Sequence, residues 1–201
     1  MKEKIRRVIG IILIIVGLAL IISIVYKKME TSKKQKELQN ILEQVINEDP
    51  KSEGSDNGDK SINGYKPIAL IEIPSINLSQ GLVEGMSDNV LQYYLGHFED
   101  SAKPGEKGNF VVAGHRVSDY SEAFVNLYKV EAGDDIIVKA NKKEYIYKID
   151  ENFIVDPSRV DVLDKTDDAT ITLITCTVGA KERVIVKGKL IETKDLQSGG
   201  E

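Results

Sequence analysis

The 201-residue sequence is short of three things that often decide function: cysteine, histidine and surplus positive charge. Cys176 is its single cysteine, so no disulfide can form within the chain, and the thiol either carries chemistry or is buried and inert. There are two histidines, His97 and His115, which leaves few candidates for proton transfer near neutral pH. A net charge of −5 and a pI near 5.3 leave no basic face to neutralise phosphates, which argues against a nucleic-acid partner. No internal repeat is visible.

What is present begins with an apolar run. Residues Val8 to Val25 read VIGIILIIVGLALIISIV, eighteen positions without a charge, at the lower end of the length that spans a bilayer. The run is too long and too evenly apolar for a typical cleaved signal core, and Tyr26-Lys27-Lys28 follows where a small-residue cleavage site would stand. Lys2, Lys4, Arg6 and Arg7 in front of it speak against a buried core helix. The expectation is an uncleaved single-pass anchor over 8–25, preceded by a cytoplasmic tail over 1–7. Both flanks are basic, so the orientation, with the following domain outside the cell, rests on the large polar segment that comes next.

Residues 26–64 divide into a stalk and a tether. Met29 to Glu48 carries Leu38, Ile41, Leu42, Val45 and Ile46 at helical spacing, whereas Asp49 to Gly64 is polar, turn-rich and almost free of apolar residues. The first is expected to be a short amphipathic helix and the second a flexible linker. Residues 65–194 form the expected folded domain, and 195–201, ending Ser-Gly-Gly-Glu, a loose tail.

From Tyr65 onward the pattern is of short strands: Pro67 to Ile73, Ile76 to Leu78, Gly108 to Ala113, Asp135 to Ala140, Glu144 to Val155, Ala169 to Cys176 and Arg183 to Glu192. Seven or eight strands in about 130 residues point to a closed barrel or a sandwich. Ser87 reads as the N-cap of a short helix over Asp88 to Leu95, and Ser121 as that of another over Glu122 to Tyr128.

Alternation along the last two strands says where chemistry should face. Ile171 and Leu173 share one face; Thr170, Thr172 and Cys176 share the other, with Ile174 as an apolar exception. If residues 177–182 simply turn the chain back, Cys176 and Arg183 become directly opposed, their Cβ atoms roughly 4.5–5.5 Å apart. A guanidinium at that distance stabilises a thiolate or a developing oxyanion. A cysteine nucleophile acting on an acyl group also needs a proton donor for the leaving amine. His115 lies at the rim end of the β run VVAGH, after a glycine that permits a sharp exit, while His97 sits between Gly96 and Phe98 in a context that suits a packing histidine. On chemistry alone either histidine serves.

Three separated segments, GHFEDSAKPGEKGNFVVAGHR at 96–116, TLITC at 172–176 and RVIVKGKL at 183–190, resemble the sortases, cysteine transpeptidases of Gram-positive cell surfaces. The resemblance covers roughly residues 65–192 and extends to the membrane anchor. It implies an eight-stranded, mostly β, closed barrel with two or three short helices, and a catalytic set of Cys176 as nucleophile, His115 as proton donor and Arg183 as oxyanion stabiliser. His97 then matches a recurring but non-catalytic position. Thr175 is implied as a substrate-side residue, acting through its hydroxyl or backbone.

The implied reaction is cleavage of an LPxTG-like sorting signal through a thioester, followed by transfer to lipid II or another cell-wall amine. The short Cys-to-Arg spacing and the Gly-His-Arg context look like class D first and class A second. With no C-terminal membrane segment and no Asp-Pro-aromatic lid ahead of the barrel in this sequence, a class C enzyme is not the expectation. No cofactor is required by the resemblance. Class A members bind calcium through acidic residues, and Glu99-Asp100 and Asp161 to Asp168 would be the places for it, although acidic loops are usually just solvated. A cysteine peptidase using the same residues with water, and a catalytically silent surface-binding barrel, are the competing readings.

Overall fold

The computed structural model describes residues 2–46, 64–117 and 123–196. The alternating apolar residues of the second half become eight strands: β1 Pro67–Ile73, β2 Leu78–Glu84, β3 Leu95–His97, β4 Gly108–Ala113, β5 Asp135–Ala140, β6 Lys143–Val155, β7 Ala169–Cys176 and β8 Arg183–Asp195. They close into one barrel in the order β1-β2-β3-β4-β7-β8-β6-β5, so the barrel, and not the sandwich, is the architecture. Closure leaves no unpaired edge. Most neighbours are antiparallel, but β2–β3 and β4–β7 run parallel.

Side chains from alternate positions fill the barrel. Ile71, Leu82, Phe110, Val112, Val138, Tyr147, Ile171, Leu173 and Val186 are buried together in its interior. Each aliphatic side chain so buried contributes about 1.5–3 kcal/mol through the hydrophobic effect. A second, outer cluster of Val155, Val162 and Ile185, with Phe153, Leu163 and Ile174 packed against it, covers the opposite face of β6, β7 and β8. That cluster accounts for Ile174: the face it shares with Cys176 is apolar beside the thiol and polar only farther back, at Thr170 and Thr172.

The segments expected as anchor and stalk are one helix, α1, Lys2–Ile46. Arg6–Tyr26 within it, 21 residues of mean hydropathy 3.3 and none of it buried, is long and apolar enough to cross a membrane. Farther along α1, Leu42 is buried against Val83, Val90 and Tyr94, so the end of the stalk packs on the barrel wall near β2. The tether falls almost wholly outside the described residues, as do Ser121 and Glu122 of the second expected helix and residues 197–201.

Four local expectations changed. Ile76 is not in a strand: Pro74–Ile76 form a 3-10 turn, closed by Asn77 in the left-handed region at φ 52°, before β2 begins at Leu78. After Ser87, the helix α2 stops at Leu91, and Leu95 opens β3. Gly96 is the reason a strand fits there, since a Cβ on it would lie 2.3 Å from the Gly85 carbonyl oxygen. Ser87 occupies the N-cap position without a side-chain cap bond; its carbonyl accepts from Val90 and Leu91. Past Ala123 the chain forms turns and a 3-10 helix at Leu127–Lys129. At the C-terminal end, Lys194 and Asp195 remain in β8, opposite Glu144 and Lys143.

Candidate active site

The final hairpin places the thiol. Residues 177–182 turn the chain back, closed by Thr177, whose N–H donates to the Glu182 carbonyl at 3.0 Å and whose Oγ1 accepts from the Glu182 N–H at 3.1 Å. Gly179 at φ 80° and Ala180 at φ 56° supply the reversal. The resulting register sets Cys176 directly opposite Arg183, as alternation and spacing require. Both side chains are partly exposed. The Arg183 guanidinium reaches over the turn, where Nη1 donates to the carbonyls of Ala180 at 3.3 Å and Glu182 at 3.1 Å.

On the other side of β7 lies β4, and parallel pairing aligns their ends. The register runs from Gly108↔Ala169 to Ala113↔Ile174, and the Gly114 N–H carries it one step further by donating to the Ile174 carbonyl at 3.0 Å. Continued at the same offset, it brings His115 level with Cys176, one strand spacing of about 4.8 Å away. Gly114 is present for space, not for a turn: a Cβ there would come within 2.5 Å of Leu95 Cδ2 and 2.7 Å of Phe124 Cδ2, and its φ is not positive. His115 is half-buried, its carbonyl accepts from the Phe124 N–H at 3.2 Å, and its ring makes no hydrogen bond among the described residues. Cys176 and Arg183 thus stand opposite one another where β7 ends and β8 begins, and His115 follows two residues after the end of β4, the strand that pairs with β7 on its other side.

Thr175 is placed differently. It is 3% exposed, on the parity of Ile171 and Leu173, and its Oγ1 has no partner. Its hydroxyl therefore points away from the face that carries the Cys176 thiol, and only its backbone adjoins that face.

His97 is fully engaged. It is 1% exposed, its Nδ1 lies 2.5 Å from Glu84 Oε1, and its Nε2 is 3.0 Å from both the Ala102 carbonyl oxygen and Ser101 Oγ. Because the Ala102 carbonyl can only accept, Nε2 carries a proton directed into the protein.

Sequence reasoning missed Asp156, immediately after β6. Its carboxyl is held below the usual carboxylate range first by the Ser158 hydroxyl and N–H, which bond it at 2.6 and 2.9 Å, and further by the positive charge of Arg183. Its proximity to Arg183 follows from Val155↔Arg183 pairing between β6 and β8, a partnership with no local trace in the sequence. Among the described residues, no group of three or more His, Cys, Asp or Glu side chains is arranged to hold a metal ion, and the Asp161 carboxylate is engaged by Arg159 at 2.7 Å.

A cysteine flanked by a histidine and an arginine at the rim of a closed barrel has the parts of a nucleophilic acyl-transfer centre. The profile of the sortase domain matches residues 71–191, and the chain belongs to the sortase family. It is 30% identical to Sortase SrtE1 of Streptomyces coelicolor over 96% of this chain, although it spans 59% of that relative's length. It is 28% identical to Sortase A of Bacillus anthracis, covering 96% of this chain and 98% of that one. Among solved structures, a Sortase D5 transpeptidase from Clostridium perfringens is 37% identical, covering 80% of this chain and 98% of that chain with a TM-score of 0.66. These relatives carry sortase A, D and E names, so the affiliation stands at the level of the family.

Proposed function

We propose that this chain is a membrane-anchored cysteine transpeptidase that cleaves an LPxTG-like sorting signal and joins the upstream product to an amine of a cell-wall precursor. The observation that supports the reading is the direct pairing of Cys176 with Arg183, together with the parallel β4–β7 register, whose offset carried two residues past β4 would set His115 level with Cys176. In the first half-reaction the Cys176 thiolate attacks the Thr carbonyl carbon, and a C–S bond forms. The Arg183 guanidinium, fixed over the hairpin by its carbonyl contacts, steadies the oxyanion. When the C–N bond breaks, the His115 imidazolium gives its proton to the departing amine. In the second, an acceptor amine attacks the thioester, His115 takes a proton from it, and the thiolate leaves as the new amide forms. Class D is the subclass the spacing favours, and likeness to the D5 enzyme supports it.

The same reading assigns α1 the placement of the barrel. The Arg6–Tyr26 segment crosses the cell membrane once and holds the barrel outside, where sorting signals and lipid-linked acceptors meet it. The decisive experiment incubates the purified full chain in detergent with a sorting peptide, with and without an amine. Transpeptide product is expected. Hydrolysis alone would make the chain a peptidase, and no cleavage would leave a binding barrel. External protease on intact cells is expected to degrade the barrel; full protection would overturn the topology.

A further inference from the structure

The β7–β8 hairpin is not the only structure bordering the thiol: residues 156–168, between β6 and β7, lie over the same outer face. Val162 and Leu163 of this loop pack on Ile174 and Ile185, which stand two residues from Cys176 and Arg183 along their strands and on the same side. Most of the loop's polar bonds are internal, such as Asp156 to Ser158 and Arg159 to Asp161. Asn109 on β4 reaches into it from the barrel. Its Nδ2 donates to the Val162 and Asp164 carbonyls, both at 3.1 Å, while its Oδ1 accepts from Thr172 Oγ1 at 2.7 Å. The amide orientation is forced, because the two carbonyls only accept whereas the Thr172 hydroxyl is able to donate. Asn109 is 3% exposed, so these bonds have little competition from water.

We propose that Asn109 is a positioning residue that pins the 156–168 loop to β4 and β7, holding the apolar Val162–Ile174–Ile185 shelf in register with Cys176 for the apolar residues upstream of the scissile bond. This rests on the transpeptidase reading for its substrate and on the hydrogen-bond network for its mechanics. Asn109 does not touch the reacting atoms, so its loss should weaken substrate binding and leave the chemical step largely intact. Asn109→Asp is the sharpest test, since it keeps the shape and the Thr172 contact but turns both donors into acceptors facing two carbonyls. Losing two buried neutral bonds shifts the loop's open–closed equilibrium by about tenfold or more.

Three readouts on the full chain in detergent separate the possibilities: amide hydrogen exchange over 156–168, KM and kcat with a sorting peptide, and the rate of Cys176 alkylation by iodoacetamide. For Asn109→Asp, exchange in the loop is expected to quicken and KM to rise about tenfold, with kcat and alkylation within about twofold of the parent. Thr172→Val should move exchange and KM in the same direction by less, and it decides the matter if Asn109→Asp does not fold. Unchanged loop exchange in the folded variant, or a fall in kcat at constant KM, overturns the proposal. If the parent chain itself turns over no sorting peptide, the function is wrong, and loop exchange alone still decides whether Asn109 holds the loop.

Discussion

His97 and His115 belong to neighbouring stretches of the barrel, one ending β3 opposite Val112 and the other two residues past the end of β4. Their surroundings are opposite. His97 is enclosed, with a carboxylate on one nitrogen and a carbonyl and a hydroxyl on the other, and its ring is 5.3 Å from that of Phe110. His115 stands half-buried at the rim beside the thiol strand with its ring unbonded among the described residues. A proton carrier must change partners during a reaction, and a histidine whose nitrogens are both committed to the protein cannot do so without breaking the structure that holds it. The contrast separates a histidine that holds strands together from one able to work, a distinction that residue type cannot make.

The comparison has meaning only against a true zero. Cys176→Ala supplies it: peptide turnover should fall by roughly ten-thousandfold or more, with unfolding behaviour unchanged, because Cys176 is the single thiol of the sequence. Substantial cleavage by this variant would remove the thiol from the mechanism. His115→Ala should come next, with a loss of about a hundredfold to a thousandfold in kcat/KM. A folded His115→Ala chain with near-normal activity would erase the contrast. Arg183→Lys sharpens it from the other flank of Cys176. The charge is retained but the planar fork is lost, so kcat should drop about tenfold, and an unaltered kcat would show that a diffuse positive charge suffices. The smallest catalytic effect belongs to His97→Gln. Activity per folded molecule should stay within about threefold, while denaturant unfolding shows a loss of about 1–3 kcal/mol from the disturbed Glu84 and Ala102 contacts. Equal catalytic losses at both histidines would mean that their surroundings do not determine their roles.

Much of this site was legible because strand alternation is a local code. The pairing of Cys176 with Arg183 needed only two alternating runs and a short turn, and the structure has both. His115 was harder, since its place depends on parallel pairing between β4 and β7, a relation that no turn encodes. There the family resemblance selected the residue, and the β4–β7 register, which ends at Ala113↔Ile174, runs toward the same rim. Other features escaped for identifiable reasons. Leu95 was read into a helix because helical and strand patterns are not distinguishable over so few residues; the fit of Gly96 against Gly85 is tertiary. Ile174 looked anomalous because a one-layer reading of a strand allows a single apolar face, while the loop between β6 and β7 makes a second. Thr175 was assigned to the substrate side through its hydroxyl or its backbone; its side chain faces away from the thiol, which leaves the backbone route, a distinction set by strand parity.

Parallel pairing of β4 with β7 also has a kinetic side. His115 and Cys176 are joined by a chain that must travel through β5 and β6 before β7 can dock, so their encounter is a long-range contact of the slow-forming kind. Arg183, by contrast, can meet Cys176 through a local hairpin. A newly made chain would therefore hold a cysteine next to an arginine before any proton donor is in reach, and turnover should appear later than hairpin protection during refolding. Pulsed hydrogen exchange alongside a turnover assay would time the two events, and catalytic competence would then serve as a clock for barrel closure.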